Sequence, residues 1–357
     1  MRLAMPFVWD ERCRAHEPRS EVWVGVSTPA VETAARIDAI RSALVEANAT
    51  EIPAAPHDDG HLSAVHDPEF LSYLQTAWDE WVVAGLPEDP GQDRVVPYVF
   101  AHAALTSGRR PAVPTAVWAR PGYFAYDTMT LVGPGTWEAA RAAVDAALTA
   151  VDLVVAGAPC AYACCRPPGH HACRACFGGS CYLNTAAVAA VALLEQVAGP
   201  VAILDIDAHH GNGTQELFFD RPDVLVGSVH VDPGAGWFPH FLGFADETGI
   251  GDGVGANRNV VLPPGTRDEE WLHAVGELAE WARLNGARAL VVSLGVDAGA
   301  SDPESPLQVE ERGFHRAGAL LGQLQLPTVL VQEGGYDLAT IGRLVREVLL
   351  GVEEELA

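Results

Sequence analysis

The sequence predicts a single α/β domain in which a mostly parallel sheet is covered by helices. From Thr136 onward, short apolar runs alternate with longer segments that have helical periodicity. Three polar signatures each follow one of the apolar runs, at the edge of a parallel sheet where ligands bind. No internal repeat or linker divides the 357 residues, so we expect one domain over 1–357.

Helices and strands are expected in a regular order. A helix from Thr136 to about Ala150 opens the series, with Thr136 as its N-cap. The later helices are predicted over 185–197, 267–285, 309–324 and 337–350. The strands are predicted over 153–155, 201–205, 224–230, 289–294 and 328–332. Such βα alternation is typical of parallel sheets with helices on both faces.

The segment 79–123 differs from the rest of the chain. It is rich in proline and glycine, has few periodic apolar positions and is long for a loop. Loops of this length are usually functional or disordered. We interpret the segment as an insertion near the pocket mouth or at a dimer contact.

The charge balance excludes some partners. The 47 acidic residues outweigh 22 basic residues, all of them arginine, which gives a formal charge of −25. This field disfavours nucleic acid and attracts small cations, although acidity also serves solubility. No apolar run approaches the roughly 20 residues that span a bilayer, and charges come too early for a secretory signal. We expect a cytoplasmic enzyme without a membrane partner.

Six of the seven cysteines lie between Cys160 and Cys181. Cys173 and Cys176 have the spacing of a zinc-binding pair, but Cys164 and Cys165 do not form a second pair. Free thiols are therefore favoured over a labile disulfide, and a structural metal is the weakest alternative.

The motif DIDAHHG follows the apolar run 201–204. Asp205, Asp207 and His209 alternate along an extended chain, so their side chains converge. Asp297 follows another apolar run and adds a second carboxylate beside Asp207. Three protein ligands leave one position open, which is typical of catalytic rather than structural zinc. The alternative is that Asp207 and His209 only cap a strand end.

Two further motifs carry groups suited to acid–base chemistry. RPPGHHA presents His170 and His171 on a stiff turn, and imidazole titrates near neutral pH. EGGYD places Tyr336 after a buried strand, where its hydroxyl can stabilise an oxyanion. Taken alone, the histidines could lie on a surface loop and the tyrosine could simply begin a helix.

Together these motifs resemble the zinc-dependent histone deacetylase and acetylpolyamine amidohydrolase superfamily. RPPGHHA, FGGSCYLN, DIDAHHGNGTQ, FPHFLGF, VVSLGVD and EGGYD occur in the expected order over most of the chain. The pattern is most similar to bacterial acetylpolyamine amidohydrolases and class II deacetylases. The resemblance implies the arginase/deacetylase fold, with a mostly parallel eight-stranded sheet flanked by helices.

The resemblance also implies two cation sites. One zinc ion would be held by Asp207, His209 and Asp297. A structural potassium ion would lie beside it, at the positions Asp205, Asp207, His209, Ser228 and Val229.

The same resemblance implies catalytic roles. His171 corresponds to the general base, which also protonates the leaving amine, and Asn212 pairs with it. His170 corresponds to its electrostatic partner, oriented by Asp205, and Tyr336 to the oxyanion donor. The implied reaction is hydrolysis of an N-acylated amine, either acetylpolyamine-like or acetyl-lysine-like.

The substrate channel departs from the family pattern at two positions. Phe238 matches one wall, but Ser180, next to Gly179, stands where an aromatic residue is expected on the other. Trp118 stands where a glutamate that grips a distal ammonium is expected. A bulkier N-acyl metabolite of secondary metabolism is therefore an alternative substrate. Related enzymes dimerise through the insertion, which implies a homodimer.

Two other functions on related scaffolds fit the sequence less well. A binuclear manganese ureohydrolase needs an aspartate where this chain has Gly211. A non-catalytic binding protein on the same scaffold would be expected to lack a metal ligand, His171 or Tyr336. The chain keeps all of these residues.

Overall fold

A computed structural model describes residues 2–356 of the chain. Its strands are β1 (Phe7–Trp9), β2 (Ser20–Trp23), β3 (Val26–Pro29), β4 (Glu51–Pro53), β5 (Cys160–Ala163), β6 (Val201–Asp205), β7 (Val224–Val231), β8 (Asn257–Leu262), β9 (Ala289–Leu294) and β10 (Thr328–Gln332). Eight of them form one sheet in the order β4-β1-β5-β10-β9-β6-β7-β8, and every neighbouring pair is parallel. β2 and β3 form a separate antiparallel hairpin.

The helices form two groups on the sheet. They are α1 (Ala34–Glu46), α2 (Gly60–Val65), α3 (Pro68–Val83), α4 (Pro121–Phe124), α5 (Thr136–Val155), α6 (Thr185–Leu194), α7 (Asn212–Phe218), α8 (Asp268–Leu284), α9 (Glu311–Gly322) and α10 (Ile341–Leu356). α5 packs on α6, whereas α8, α9, α10 and α1 pack on one another in sequence. No helix within residues 2–356 is both long and apolar enough to cross a membrane.

The predicted fold is confirmed, with corrections to several boundaries. The predicted strand 153–155 is wrong, because those residues form the last turn of α5, where Val151 and Val154 are buried at helical spacing. The strand lies at Cys160–Ala163 instead. Thr136 is also not the N-cap: Gly135 is, and the Thr136 hydroxyl accepts a hydrogen bond from the Gly133 amide.

The other predicted boundaries shift by a few residues. The last helix begins at Ile341 rather than 337, because Asp337 forms a turn whose carbonyl accepts hydrogen bonds from the Thr340 and Ile341 amides. That helix continues to Leu356. The short strands β1 and β4 were not predicted, since three residues carry little periodicity.

The predicted insertion begins inside α3, which runs to Val83. Beyond it, the chain forms turns and single-turn 3-10 helices until α4. The Arg120 guanidinium pairs with Glu80 and fastens the end of this segment onto α3. Val95 forms a bridge with Val132, which ties its middle to the body of the domain.

A buried ion cluster links the first 36 residues to the sheet. The Glu32 carboxylate accepts hydrogen bonds from Arg36 at 2.6 Å and from Arg166 at 2.8 and 2.9 Å, and all three residues are buried. Arg36 also donates to the carbonyls of Glu333 and Gly335, just after β10. Burial opposes ionisation of Glu32, but the two guanidinium groups outweigh it and hold its pKa below the usual value.

We predict that Glu32→Gln lowers the free energy of unfolding by about 3–5 kcal/mol, since it leaves two buried guanidinium groups without their counter-charge. Urea denaturation at pH 7, followed by tryptophan fluorescence, measures the loss. The matched control is Glu269→Gln, which breaks the exposed pair with Arg316 and is expected to cost less than about 1 kcal/mol. Equal small losses in both variants would contradict the prediction.

Candidate active site

Two carboxylates and one imidazole meet at the carboxyl ends of β6 and β9. The ligand atoms of Asp207, His209 and Asp297 lie within 4.8 Å of one another. His209 Nδ1 is 2.9 Å from Asp297 Oδ2 and 3.4 Å from Asp207 Oδ1. Both carboxylates are buried and no arginine pairs with them among the described residues. Two carboxylates and one imidazole form a donor set that suits a zinc ion.

The backbone holds this cluster tightly. Gly334 N donates to Asp207 Oδ2 at 2.7 Å, and Ala208 N donates to Asp297 Oδ1 at 2.8 Å. A Cβ atom at Gly295 would lie 2.1 Å from Asp207 Oδ2, so only glycine lets the chain pass there. The convergence follows from sheet order, because β5, β10, β9 and β6 are consecutive neighbours.

His170 and His171 lie beside this cluster, with ring centroids 4.0 Å apart. His170 Nδ1 is 2.8 Å from Asp205 Oδ2, and His171 Nδ1 is 2.7 Å from Asn212 Oδ1. Burial opposes protonation of His170, but Asp205 and Asp207 outweigh it and raise its pKa to about 10. Burial and the positive charge of His170 hold the pKa of His171 well below its usual value. One histidine of the pair is thus charged and the other neutral.

Glu333 stabilises the turn that carries His170 and His171. Its Oε2 accepts hydrogen bonds from Gly169 N at 2.7 Å and His170 N at 3.1 Å. The side chain is buried, and burial raises its pKa to about 7. Sequence reasoning gave Glu333 no role of its own, although its position directly after β10 was the available signal.

A cavity of about 740 Å³ opens above these groups. Six of the predicted site residues line it: His171, Gly179, Ser180, His209, Phe238 and Tyr336. The Phe238 ring stands edge-on to His171, with centroids 4.8 Å apart. Tyr336 is held by its backbone amide, which donates to Asp302 Oδ2 at 2.6 Å, and by the Arg36 guanidinium over its ring.

Trp118 is not among the residues that line this cavity, and its placement in the substrate channel stays a prediction. It is 51% exposed and lies on a single-turn 3-10 helix, Val117–Ala119, next to the Arg120–Glu80 pair that fastens this segment to α3. Acidic residues of the cavity come from elsewhere, namely Glu21 on β2 and Glu304 after β9. Both were missed, because neither belongs to a polar motif in the sequence.

The residues of the expected potassium site lie on adjacent strands. Asp205, at the end of β6, is in register with Ser228 of β7, and Val229 is buried next to it. Ser228 Oγ is 2.8 Å from His230 Nδ1, whereas His230 Nε2 is 2.7 Å from the Gly243 carbonyl. A carbonyl only accepts, so His230 Nε2 carries the hydrogen and its Nδ1 accepts from the Ser228 hydroxyl. The lone pairs of Ser228 Oγ remain available to a cation.

All seven cysteines are described as free thiols, in agreement with the favoured reading of the sequence. The cysteines of the predicted cluster are buried except Cys176, which is partly exposed. The groups that could hold a metal among residues 2–356 do not include the Cys173–Cys176 pair.

The fold and the site define a class: an α/β protein with a candidate metal centre and a histidine pair at one cavity. Comparison with known proteins agrees with this class. The protein-family model described as the histone deacetylase domain matches residues 30–352 of the chain. The chain is 38% identical to the acetylpolyamine amidohydrolase of Mycoplana ramosa, over 98% of this chain and 99% of that protein. It is 39% identical to acetylpolyamine amidohydrolase 1 of Pseudomonas aeruginosa, over 97% and 98% of the two chains.

A solved structure gives the same result. The acetylpolyamine aminohydrolase of Burkholderia pseudomallei superimposes with a TM-score of 0.91 at 37% identity, and the match covers 98% of both chains. This protein therefore belongs to the histone deacetylase family, and bacterial acetylpolyamine amidohydrolases are among its relatives in that family. The predicted family and enzyme class are confirmed.

We predict that Asp297→Asn weakens zinc binding about tenfold or more, because an amide is a poorer ligand than a carboxylate. Competition with a chelating dye and elemental analysis after dialysis measure the effect. The matched control is Asp145→Asn, a buried carboxylate that pairs with Arg12 and Arg141 outside the cluster. That control is expected to lose stability and keep its zinc, and equal zinc loss in both variants would argue against the site.

Proposed function

We propose that this protein is a zinc-dependent amidohydrolase that removes the acetyl group from N-acetylated amines that also carry a free, positively charged amino group, as acetylpolyamines do. The observation that carries the proposal is the Asp207–His209–Asp297 cluster in the same cavity as His171 and Tyr336. The relatives named acetylpolyamine amidohydrolases support the choice of substrate.

One zinc ion would be held by Asp207, His209 and Asp297, whose donor set fits it. When bound, zinc polarises a carbonyl oxygen and lowers the pKa of water. A structural potassium ion is proposed at the positions of Asp205, Asp207, His209, Ser228 and Val229.

The chain's own residues would move the protons and stabilise charge. His171 is neutral, so its Nε2 is the group that takes a proton from the attacking water and returns it to the leaving amine. His170, paired with Asp205, supplies a fixed positive charge beside it. The Tyr336 hydroxyl would donate a hydrogen bond to the oxygen that becomes negative as the carbonyl is attacked.

The walls of the cavity suit a cationic amine. Glu21 and Glu304 line it, and neither pairs with an arginine or histidine among residues 2–356. Burial, with a contribution from Glu304, raises the pKa of Glu21 to about 7, and burial also raises the pKa of Glu304. An ammonium group between them would restore their ionised forms, and the formal charge of −25 would attract it.

The acyl side of the substrate is less restricted. Ser180 and Phe238 both line the cavity, and the serine is smaller than the aromatic residue expected at its position. A wider channel favours the alternative substrate, a bulkier N-acyl metabolite, over narrow acetyl-lysine selectivity.

We further propose that two copies associate through the segment 84–120. Tyr98, Leu105 and Trp118 are exposed there by 72%, 74% and 51%, and large exposed apolar groups mark interfaces when they cluster on one segment. Free thiols fit a reducing compartment, so we place the enzyme in the cytoplasm. Sedimentation velocity of the purified chain would give its oligomeric mass.

We predict chelator-sensitive hydrolysis of acetylputrescine and acetylspermidine, restored by added zinc. N-butylacetamide, which lacks the ammonium group, is expected to have a KM at least about tenfold higher, since a charge-assisted contact contributes about 1.5–3 kcal/mol. Glu21→Gln should raise the KM for acetylputrescine and leave N-butylacetamide unchanged, whereas the exposed Glu270→Gln serves as control. The absence of chelator-sensitive turnover with any N-acyl amine would favour a non-catalytic binding protein.

We predict that Ser180→Tyr narrows the channel. The kcat/KM for butyryl and longer acyl amines should fall about tenfold relative to the acetyl substrate, the discrimination expected when room for one or two methylene groups is lost. A panel of acylputrescines of increasing chain length measures this. Unchanged acyl-length preference would refute the role assigned to Ser180.

A further inference from the structure

Tyr126 lies beneath the channel wall and was not singled out from the sequence. Its backbone amide donates to the Phe177 carbonyl at 3.1 Å, and its ring stacks on Phe238 with centroids 6.2 Å apart. The ring also fills the space over Gly178, where a Cβ atom would lie 2.3 Å from it. These contacts fix the ring and direct its hydroxyl toward the histidine pair.

Three hydrogen bonds join Tyr126, Asn212 and His171 in a closed hydrogen-bond network. The Tyr126 hydroxyl donates to the His171 carbonyl at 3.0 Å. Asn212 Nδ2 lies 3.4 Å from the same hydroxyl, and Asn212 Oδ1 lies 2.7 Å from His171 Nδ1. The hydrogen-bond network thus begins at the backbone carbonyl of His171 and ends at the imidazole of the same residue.

The direction of every hydrogen bond in this network follows from one acceptor, the backbone carbonyl of His171. A carbonyl oxygen cannot donate, so the Tyr126 hydroxyl must give its hydrogen to the His171 carbonyl. The hydroxyl oxygen is then an acceptor, which selects the Nδ2 side of the Asn212 amide. The Oδ1 side therefore faces His171, whose Nδ1 must carry the hydrogen. Nε2 is left unprotonated, as a general base requires.

We infer that Tyr126 is a positioning residue that fixes the orientation of the Asn212 amide and thereby the tautomer of His171. This inference deepens the proposed function and rests on it. Without the hydroxyl, nothing at this position distinguishes the two ends of the amide. A flipped Asn212 would present its NH₂ group to Nδ1, and His171 would then carry its hydrogen on Nε2 and could not accept a proton there.

The kinetic test compares Tyr126→Phe with Tyr73→Phe in the zinc-loaded protein. Tyr126→Phe keeps the ring that packs on Phe238 and removes only the hydroxyl. We expect kcat for acetylputrescine to fall about fivefold, the effect of one hydrogen bond of about 1 kcal/mol, with KM changed less than about twofold. Tyr73 is the matched control, because its hydroxyl is buried without a partner among the described residues and its ring stacks on Phe124. Its loss should leave kcat unchanged.

A second background separates positioning from general structural damage. In Asn212→Asp both oxygens accept, so His171 keeps its Nδ1 hydrogen without help from Tyr126. Adding Tyr126→Phe to this variant should change kcat less than about twofold, or raise it. A full fivefold loss in the Asn212→Asp background, or an unchanged kcat in Tyr126→Phe alone, would overturn the inference.

Nitrogen-15 NMR of histidine-labelled protein gives a readout that needs no turnover. The His171 signal, assigned by its absence in His171→Ala, should report the Nδ1–H tautomer in the wild type and gain the Nε2–H tautomer in Tyr126→Phe. Identical tautomers in both would overturn the inference. If Tyr126→Phe changes the tautomer in this way but the wild type hydrolyses no acylated amine, the result would count against the proposed function alone.

Discussion

The structure depends on the burial of negative charge at one end of its sheet. The carboxylates of Asp205, Asp207, Asp297 and Glu333 all lie at most 1% exposed within this region. Unpaired charges are costly to bury, so each is held by backbone amides or a histidine. The amides of Asp207, Ala208, Gly169 and Gly334 all donate to this group. A protonated His170 balances one of these charges, and a divalent cation would balance two more.

Sheet order explains why these groups meet. β5, β10, β9 and β6 are consecutive neighbours, so their carboxyl ends deliver four short polar segments to one edge. The buried cluster of Glu32, Arg36 and Arg166 also supports this edge of the sheet, because Arg36 donates hydrogen bonds to the carbonyls of Glu333 and Gly335. The amino-terminal part of the chain thus contributes no ligand and still supports the loop that carries Tyr336.

The sequence predicted best where a residue's surroundings are local. β6, β9 and β10 are continuous apolar runs, and the spacing of Asp205, Asp207 and His209 follows from the extended chain, so both were predictable. β1 and β4 are too short for periodicity, and Val154 satisfies both a helix and a strand pattern. Glu21 lines the cavity and was not predicted, because residues distant in sequence meet there by tertiary packing that no local pattern reports.

Two adjacent residues of one cavity wall have different roles: Gly179 contacts the catalytic histidine, and Ser180 faces the substrate channel. Gly179 lies against the His171 ring, where a Cβ atom would be 2.3 Å away, so this position cannot vary without moving the base. Ser180, next in the chain, instead donates its amide to the Thr130 hydroxyl at 2.8 Å and points its side chain at the cavity. The side chain at position 180 can therefore change the width of the channel without displacing His171, which contacts Gly179 instead.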